Sequence, residues 1–175
     1  MGFPQTLAAA RTGDEWAWER LFESVARPLC AYARAHGSVD PDDVCGEVLL
    51  RVVRDLPRFA GDEAGFRSWV FTIAHHRLVD DRRRRERAAT QAVPVVAMEP
   101  GADELALEGL EAGEWHRRLA RLPSDHRHVL LLRVVAGLDT GEVARVLDKR
   151  PGHVRVLLHR TLIGLRAQLE ERVTR

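Results

Sequence analysis

The segment from Gly137 to Arg160 constrains the fold most, because two helix-forming stretches are separated there by only a few residues. Thr140 can cap a first helix, whose apolar residues are Val143, Ala144, Val146 and Leu147. Pro151 suits the first turn of a second helix, where a missing N–H costs nothing. The buried stripe of this second helix would comprise Val154, Leu158, Thr161, Leu162 and Leu165. Because so short a connection makes the helices cross steeply, the segment predicts a helix-turn-helix.

The outward side of the second helix is rich in basic residues, and a helix-turn-helix can place this helix in the DNA major groove. Cations there can reach phosphates, and an outward-facing Val156 can touch a thymine methyl group. The residues that we predict to contact DNA are Lys149, Arg150, His153, Arg155, Val156, His159 and Arg160. The alternative is a basic amphipathic helix that only packs against its neighbours.

The first part of the chain also has helical periodicity, and no stretch of it predicts a strand. One apolar stripe comprises Trp18, Leu21, Phe22, Val25, Leu29 and Tyr32. Pro28 should kink or split this helix, and Gly37 should end it. Asp40 followed by Pro41 is a strong helix start, and Pro57 should stop the helix that follows. The apolar face of this next helix comprises Val44, Val48, Val52 and Leu56.

A second candidate nucleic-acid surface lies between Phe66 and Arg87, after a predicted loop from Arg58 to Gly65. The helix would bury one stripe, which comprises Phe66, Val70 and Ile73. Its outward side would hold Phe71, Thr72, His75, Val79, Arg82 and Arg83. Aromatic side chains interleaved with cations suit the binding of unstacked bases. The alternative is a buried aromatic helix whose arginine-rich end lies in solvent.

The segment 87–103 is predicted to be a flexible linker, because it contains two prolines, many small residues and weak periodicity. It would join two small helical domains at 1–86 and 104–175, which makes the predicted fold all-α. The net charge is +4 over residues 64–87, −4 over 88–110 and +5 over 111–175. Two basic zones around an acidic segment indicate two separate nucleic-acid contacts.

Other function classes have little support in the sequence. No apolar run approaches the roughly 18 residues of a membrane span, and residues 1–15 do not form a secretory signal, so we expect a cytoplasmic protein. Cys30 and Cys45 are expected to be reduced thiols, with a redox switch between them as the alternative. His75, His76 and Asp80 are only a weak metal signature. Because no catalytic constellation emerges either, we expect neither an enzyme nor a bound metal or cofactor.

Two parts of the sequence resemble the extracytoplasmic-function (ECF) group of the sigma-70 family. The block from Asp43 to Val52, the block from Phe66 to Ala74 and the arginine run after it are similar to region 2. The segment from Leu119 to Leu169 is similar to region 4. The resemblance covers nearly the whole chain, and its motifs stand in the expected order and spacing.

This resemblance implies a bacterial initiation factor that binds core RNA polymerase and promoter DNA. The region 2 helix would dock on the β′ clamp helices through Asp43, Glu47, Leu50, Arg51 and Arg54. Region 2 would also capture and hold the melted −10 element, through Arg58, Phe59, Asp62, Arg67, Trp69, Phe71, Thr72, His75, His76, Arg82 and Arg83. Region 4 would read the −35 element and rest on the β flap. An anti-sigma factor is a further expected partner.

Some positions depart from the family pattern. Gly46 stands in place of a frequent Gln, and His76 in place of a frequent Asn, which changes expected contacts with polymerase and DNA. Asp148 occupies the turn position usually given to Gly, but Asp tolerates the left-handed conformation, so the turn should survive. The alternatives to a sigma factor are a self-sufficient regulator, such as a dimeric repressor, and a metal-dependent enzyme built around His75 and His76.

Overall fold

The computed structural model describes residues 2–91, 117–119 and 121–173 of the 175-residue chain. The regular structure in these ranges is entirely helical, which confirms the predicted all-α class. The helices of the first domain are α1 (Phe3–Thr12), α2 (Glu15–Ala35), α3 (Pro41–Asp55), a 3₁₀ turn (Leu56–Arg58) and α4 (Glu63–Gln91). Those of the second are α5 (Ser124–Leu130), continued by a π-helical turn (Leu131–Val135), α6 (Thr140–Val146) and α7 (Pro151–Val173).

Pro28 was expected to kink or split α2, and the split is wrong, because the helix runs unbroken from Glu15 to Ala35. An interior proline costs roughly 3 kcal/mol. Val25, Leu29 and Tyr32 flank it and are fully buried, and burying each such side chain stabilises the fold by about 1.5–3 kcal/mol. Tertiary packing therefore outweighs the local cost. The predicted end of the helix is confirmed, because Gly37 follows with a φ of 83°.

Helix α3 begins as the sequence predicts. The Asp40 carboxylate accepts a hydrogen bond from the Asp43 amide at 2.9 Å, and Pro41 occupies the first turn. The whole predicted apolar face of α3 is buried: Val44, Val48, Val52 and Leu56. Helix α1, by contrast, was not predicted, although its Leu7 and Ala10 pack in the same core.

Helix α4 begins at Glu63 rather than at Phe66, so the predicted loop is shorter than Arg58 to Gly65. The Asp62 carboxylate accepts a hydrogen bond from the Gly65 amide at 2.7 Å, which starts the helix early. The helix continues to Gln91, into the segment predicted as linker. The remaining linker and the predicted start of the second domain fall within 92–116, which lies outside the described residues. The domain boundaries therefore stay predictions.

The helix-turn-helix is present as α6 and α7, with one correction. Asp139, not Thr140, caps α6: its carboxylate accepts from the Glu142 amide, and the Glu142 carboxylate accepts from the Asp139 amide. The preceding helix, α5, begins at Ser124, with Pro123 in the cap position. Asp148 adopts the expected left-handed conformation in the turn, with a φ of 50°.

The buried stripe of α7 differs in part from the prediction. Val154, Thr161 and Leu165 are buried as expected. Leu157 is buried where Leu158 was expected to be, and Leu158 is only half-buried. Leu162 is 48% exposed. The stripe is therefore rotated slightly around the helix, because α5 and α6 both pack against α7.

Candidate nucleic-acid interface

The outward face of α7 is in solvent, as the sequence predicts. Arg150, His153, Arg155, His159 and Arg160 are all exposed. Val156, between them, is 46% exposed, so its methyl groups are accessible to a partner. This face combines cations for phosphates with one apolar contact for a base edge. Its binding to DNA stays a prediction.

Lys149 makes a contact within the domain that the sequence did not predict. Its ammonium group donates a hydrogen bond to the Asp125 carboxylate at 2.8 Å, which ties the turn of the motif to α5. This hydrogen bond lowers the pKa of Asp125 below its ordinary value. Lys149 is therefore already neutralised inside the domain, and Arg150 is the exposed cation at the start of α7.

The predicted −10 surface begins with an aromatic stack. The rings of Phe59 and Trp69 lie 5.1 Å apart and 23° from parallel, and Phe66 closes the cluster from the core side. Phe59 and Trp69 are half-buried, so part of each ring faces solvent. Arg58 is exposed nearby, while Asp62 is exposed but caps α4. A partly open aromatic pair next to a cation suits a single unstacked base.

Phe71 and His75 do not lie on this surface, which corrects the prediction for both. Phe71 is fully buried, with its ring 5.7 Å from that of Tyr32 in an edge-to-face contact. His75 is 9% exposed, and its Nδ1 lies 2.9 Å from the Tyr32 hydroxyl. Helix α4 buries a wider arc than the single stripe expected, because α2, α3 and α6 all pack against it. For these two residues the alternative of a buried aromatic helix holds.

Helix α6 of the second domain covers part of the −10 surface. The Arg67 guanidinium donates to the Gly137 carbonyl at 3.2 Å and lies 3.4 Å from the Glu142 carboxylate. Arg145 Nε donates to the Ser68 hydroxyl at 3.0 Å. Thr72, one turn further along α4, is half-buried, and its hydroxyl donates to the Ser68 carbonyl. We call this packing of α6 on α4 the closed arrangement, and it occupies Arg67, which the resemblance assigns to DNA.

The arginine-rich end of α4 is partly neutralised by neighbouring acids. Arg82 bonds to Glu86 at 2.7 Å, and Arg83 lies 3.9 Å from Asp80. His76 is exposed on the same helix. Exposed pairs of this kind contribute little to stability, so the arginines can exchange their partners for phosphates at little cost.

The residues predicted to bind polymerase share one exposed side of α3. A groove of about 500 Å³ runs between α3 and α4, and its exposed walls carry Glu47, Leu50, Arg51, Arg54 and Arg77. Leu50 is 71% exposed and Val53 is 42% exposed, which makes an apolar strip among charges. Asp43 is exposed at the start of the helix.

Sequence reasoning missed Val53, an exposed apolar residue of α3, and Arg77, which lines the groove. Val53 follows Leu50 by three positions, the spacing that would have marked a second apolar stripe on α3. Arg77 comes from α4, and its Nε donates to Glu47 at 2.5 Å, which lowers the pKa of that carboxyl group. No local pattern joins two helices in this way, so Arg77 could not be found from periodicity.

The predicted metal signature is not assembled, but another histidine group is. His76 and Asp80 are exposed, whereas His75 is buried, although the rings of His75 and His76 lie only 6.2 Å apart. In the described part of the chain, the one group of three or more candidate metal ligands comprises His36, His75 and His128. These residues are far apart in sequence and come from both domains, so no spacing rule could have found them.

Cys30 is half-buried and Cys45 buried, and both carry free thiols. Among the residues that the structure describes, no helix has the length and apolar character to cross a membrane.

Two family profiles match the chain: Sigma-70 region 2 over residues 21–88, and Sigma-70, region 4 over residues 112–163. The ECF RNA polymerase sigma factor SigD of Mycobacterium tuberculosis is 31% identical over 173 residues, which cover 93% of this chain and 82% of SigD. The ECF RNA polymerase sigma factor ShbA of Streptomyces griseus is 36% identical over 137 residues, which cover 74% of this chain and 72% of ShbA.

Solved structures share the fold. CnrH, in complex with the cytosolic domain of CnrY, superimposes with a TM-score of 0.74 at 23% identity, covering 97% of both chains. RpoE of Bartonella quintana, in complex with the anti-sigma factor NepR, gives 0.65 at 20% identity, covering 87% of this chain and 96% of RpoE. Because both regions match in order and relatives above 30% identity extend along most of the chain, this protein belongs to the sigma-70 family and, within it, to the ECF RNA polymerase sigma factors.

Proposed function

We propose that this sigma factor binds core RNA polymerase through the groove between α3 and α4, and reads promoters with α7 upstream and α4 downstream. The observation that carries the proposal is the exposed face of α7, where Arg150, Arg155 and Arg160 surround an exposed Val156 on the second helix of a helix-turn-helix. Duplex DNA offers phosphates along its backbone and thymine methyl groups in its major groove, and this face of α7 carries side chains that suit both.

The groove supports the assignment of a polymerase contact. Leu50 and Val53 form an apolar strip that is flanked by Glu47, Arg51 and Arg54. A partner with an apolar ridge and charges of both signs, such as a pair of β′ clamp helices, complements this composition. Glu47 must then exchange or share its bond with Arg77 on binding.

The closed arrangement has a consequence for this function. Arg67 and Ser68 bind α6 and its preceding loop, so α4 cannot offer these groups to a melted strand until the domains separate. The described links between α4 and α6 include polar contacts that water or polymerase groups can replace. We therefore infer that the free protein binds promoters weakly. Binding to polymerase would separate the two domains, so that the protein acts only within the holoenzyme.

Two related assignments follow from the same proposal. We infer that the protein works in the cytoplasm, beside its polymerase, as a non-enzymatic factor. RpoE of B. quintana is held by an anti-sigma factor, and we infer an anti-sigma partner for this chain as well. Such a partner would stabilise a state in which promoter or polymerase surfaces are covered.

Run-off transcription with core polymerase tests the proposal against a self-sufficient repressor. We expect start sites on genomic fragments only when both the protein and core polymerase are present, and no duplex footprint from the protein alone. A palindromic footprint without polymerase, with no transcription in its presence, would contradict the proposal.

A matched pair of variants tests the groove. Leu50→Asp should abolish co-purification with core polymerase, because a carboxylate replaces the most exposed apolar side chain of the strip. Val39→Asp is the control, since Val39 is 81% exposed but outside the groove. Equal binding by the two variants would assign the polymerase contact to another surface.

A further inference from the structure

Three histidines from three helices meet where the two domains pack. His36 caps the end of α2, His75 lies in α4, and His128 lies in α5. One ring nitrogen of each lies within 4.8 Å of the others. The rings of His36 and His128 are nearly parallel at 5.4 Å, and the ring of His75 stands edge-on to that of His128 at 4.6 Å. We call these three residues the histidine cluster.

The side chain of His36 is buried without a hydrogen-bond partner among the described residues. Its side chain is 7% exposed, and neither ring nitrogen has a hydrogen-bond partner among the described residues. Leaving a buried polar group unpaired is costly, because it has lost its water and gained no partner. An ion bound to one of these nitrogens would supply the missing partner.

His75 is already oriented as a metal-binding histidine would be. Its Nδ1 lies 2.9 Å from the hydroxyl of Tyr32, which leaves Nε2 as the nitrogen free to act as a ligand. A ligating imidazole commonly donates its other N–H to a fixed acceptor, which sets the tautomer and the ring orientation. Tyr32 is fully buried, and burial raises its pKa, so its hydroxyl stays uncharged.

The donor set of the cluster also suits a metal, because each of its three imidazole rings can offer one nitrogen to the same point. Nitrogen donors of this kind favour zinc, cobalt, nickel and copper ions over magnesium or calcium.

We propose that His36, His75 and His128 bind one divalent transition-metal ion of the zinc class and thereby join the two domains. Ligand nitrogens around a tetrahedral zinc ion lie about 3.4 Å apart, so rotation of the side chains must draw the cluster together slightly. A fourth position is left for water or another small ligand. Three imidazoles and an open position are a donor set that zinc accepts.

A bound ion would also affect transcription. This part of the inference rests on the proposed function. His36 and His75 belong to the first domain and His128 to the second, so a bound ion stabilises the closed arrangement and disfavours separation. Because α6 covers Arg67 and Ser68 in that arrangement, the metal-bound protein would be less able to hold a melted strand. The site would make this sigma factor responsive to intracellular zinc.

Arg127 provides an independent check on the location of the ion. Its guanidinium is buried beside the cluster, where its charge lowers the pKa of both His36 and His128. The same charge must repel a metal ion. Arg127→Gln should therefore bind the metal roughly tenfold more tightly than the parent chain.

Metal titration of the tag-free full chain tests the site directly. We expect one equivalent of Co²⁺ to give the visible absorption bands of tetrahedral cobalt, and Zn²⁺ to displace it. His128→Gln, a change at the least buried ligand, should weaken binding at least tenfold. The control is His126→Gln on the same helix, outside the cluster. An absent or non-saturating signal, or equal binding by His128→Gln and His126→Gln, would overturn the proposal.

Run-off transcription separates this proposal from the proposed function. In saturating zinc, transcription by the parent chain should fall several-fold relative to His128→Gln in the same buffer, which controls for effects of zinc on polymerase. Equal transcription by the two proteins, after stoichiometric zinc binding to the parent has been shown, would overturn the link to the closed arrangement. Failure of the metal-free parent to transcribe at all would instead contradict the proposed function.

Discussion

The two surfaces proposed to contact DNA differ in how many of their side chains already make contacts within the protein. On α7, Arg155, Arg160 and Val156 face solvent. On α4, Arg67 and Ser68 bind the second domain, and Phe71 is buried in the first. The proposed upstream surface is thus open in the free protein, whereas the proposed downstream surface is only partly open, and its Arg67 becomes available only after a rearrangement.

This difference gives the two surfaces different sensitivities to mutation. A change on α7 should alter DNA binding while leaving the fold intact. A change on α4 should alter stability, or the closed arrangement, before it alters DNA binding.

Phe71→Ala should reduce the free energy of unfolding by about 3–5 kcal/mol, because it removes a fully buried ring that packs on Tyr32. Urea denaturation measures the change. The control is Val156→Ala on α7, where we expect a change within about 0.5 kcal/mol. A Phe71→Ala protein as stable as its parent would place this ring on the surface, as the sequence alone predicts.

Arg155→Ala and Arg160→Ala should each weaken binding of the holoenzyme to a promoter by about 1–3 kcal/mol if they contact bases, and less if they contact phosphates. Loss of a phosphate contact should also reduce the salt dependence of binding by about one unit of slope. Filter binding across a salt series measures both. Arg27→Ala, at an exposed arginine of α2, should change neither, and an equal loss in that variant would mean that only net charge matters.

Asp139→Ala should destabilise α6 by about 1 kcal/mol, because it removes the carboxylate that accepts the Glu142 amide. Thermal unfolding monitored by circular dichroism measures the loss. Thr140→Ala is the matched control and should change stability by less than half as much. A larger loss of stability in Thr140→Ala than in Asp139→Ala would mean that Thr140 caps α6, as the sequence predicts.

Arg145→Ala should favour opening of the domains by about 0.5–1.5 kcal/mol, because it removes the hydrogen bond to Ser68 across the interface. Binding of the free protein to a single-stranded −10 oligonucleotide should tighten accordingly, as measured by fluorescence anisotropy. If the affinity stayed the same or fell, Arg145 would not restrain the downstream surface.

Val156→Ala should have the smallest effect, a few tenths of a kcal/mol at a single promoter position. The valine offers a methyl contact that discriminates thymine from other pyrimidines. Promoters substituted base by base should reveal the position. An equal loss at every base would show that Val156 does not read sequence.

Periodicity predicted the parts of this fold that are decided within one helix. The stripe of α2, the start of α3 at Asp40 and the left-handed turn at Asp148 are all present. These features depend on contacts between residues a few positions apart, which a sequence displays directly.

The errors occur where several elements meet. Phe71 and His75 were expected to face outward because one buried stripe was assumed for α4, but this helix contacts α2, α3 and α6. The pairing of Glu47 with Arg77, and the histidine cluster, join residues that are distant in sequence. No local pattern encodes such contacts, so they appear only when the helices are assembled.

We infer that α6 covers part of the downstream surface until the domains separate, and a reversible cross-link across this contact tests the inference. Ser68→Cys and Arg145→Cys, in a Cys30→Ala, Cys45→Ala background, place two thiols at the observed contact, where a cleavable bismaleimide can join them. We predict efficient intramolecular cross-linking of the free protein, loss of run-off transcription by the cross-linked form, and recovery after cleavage. Normal transcription by the cross-linked protein would contradict the account.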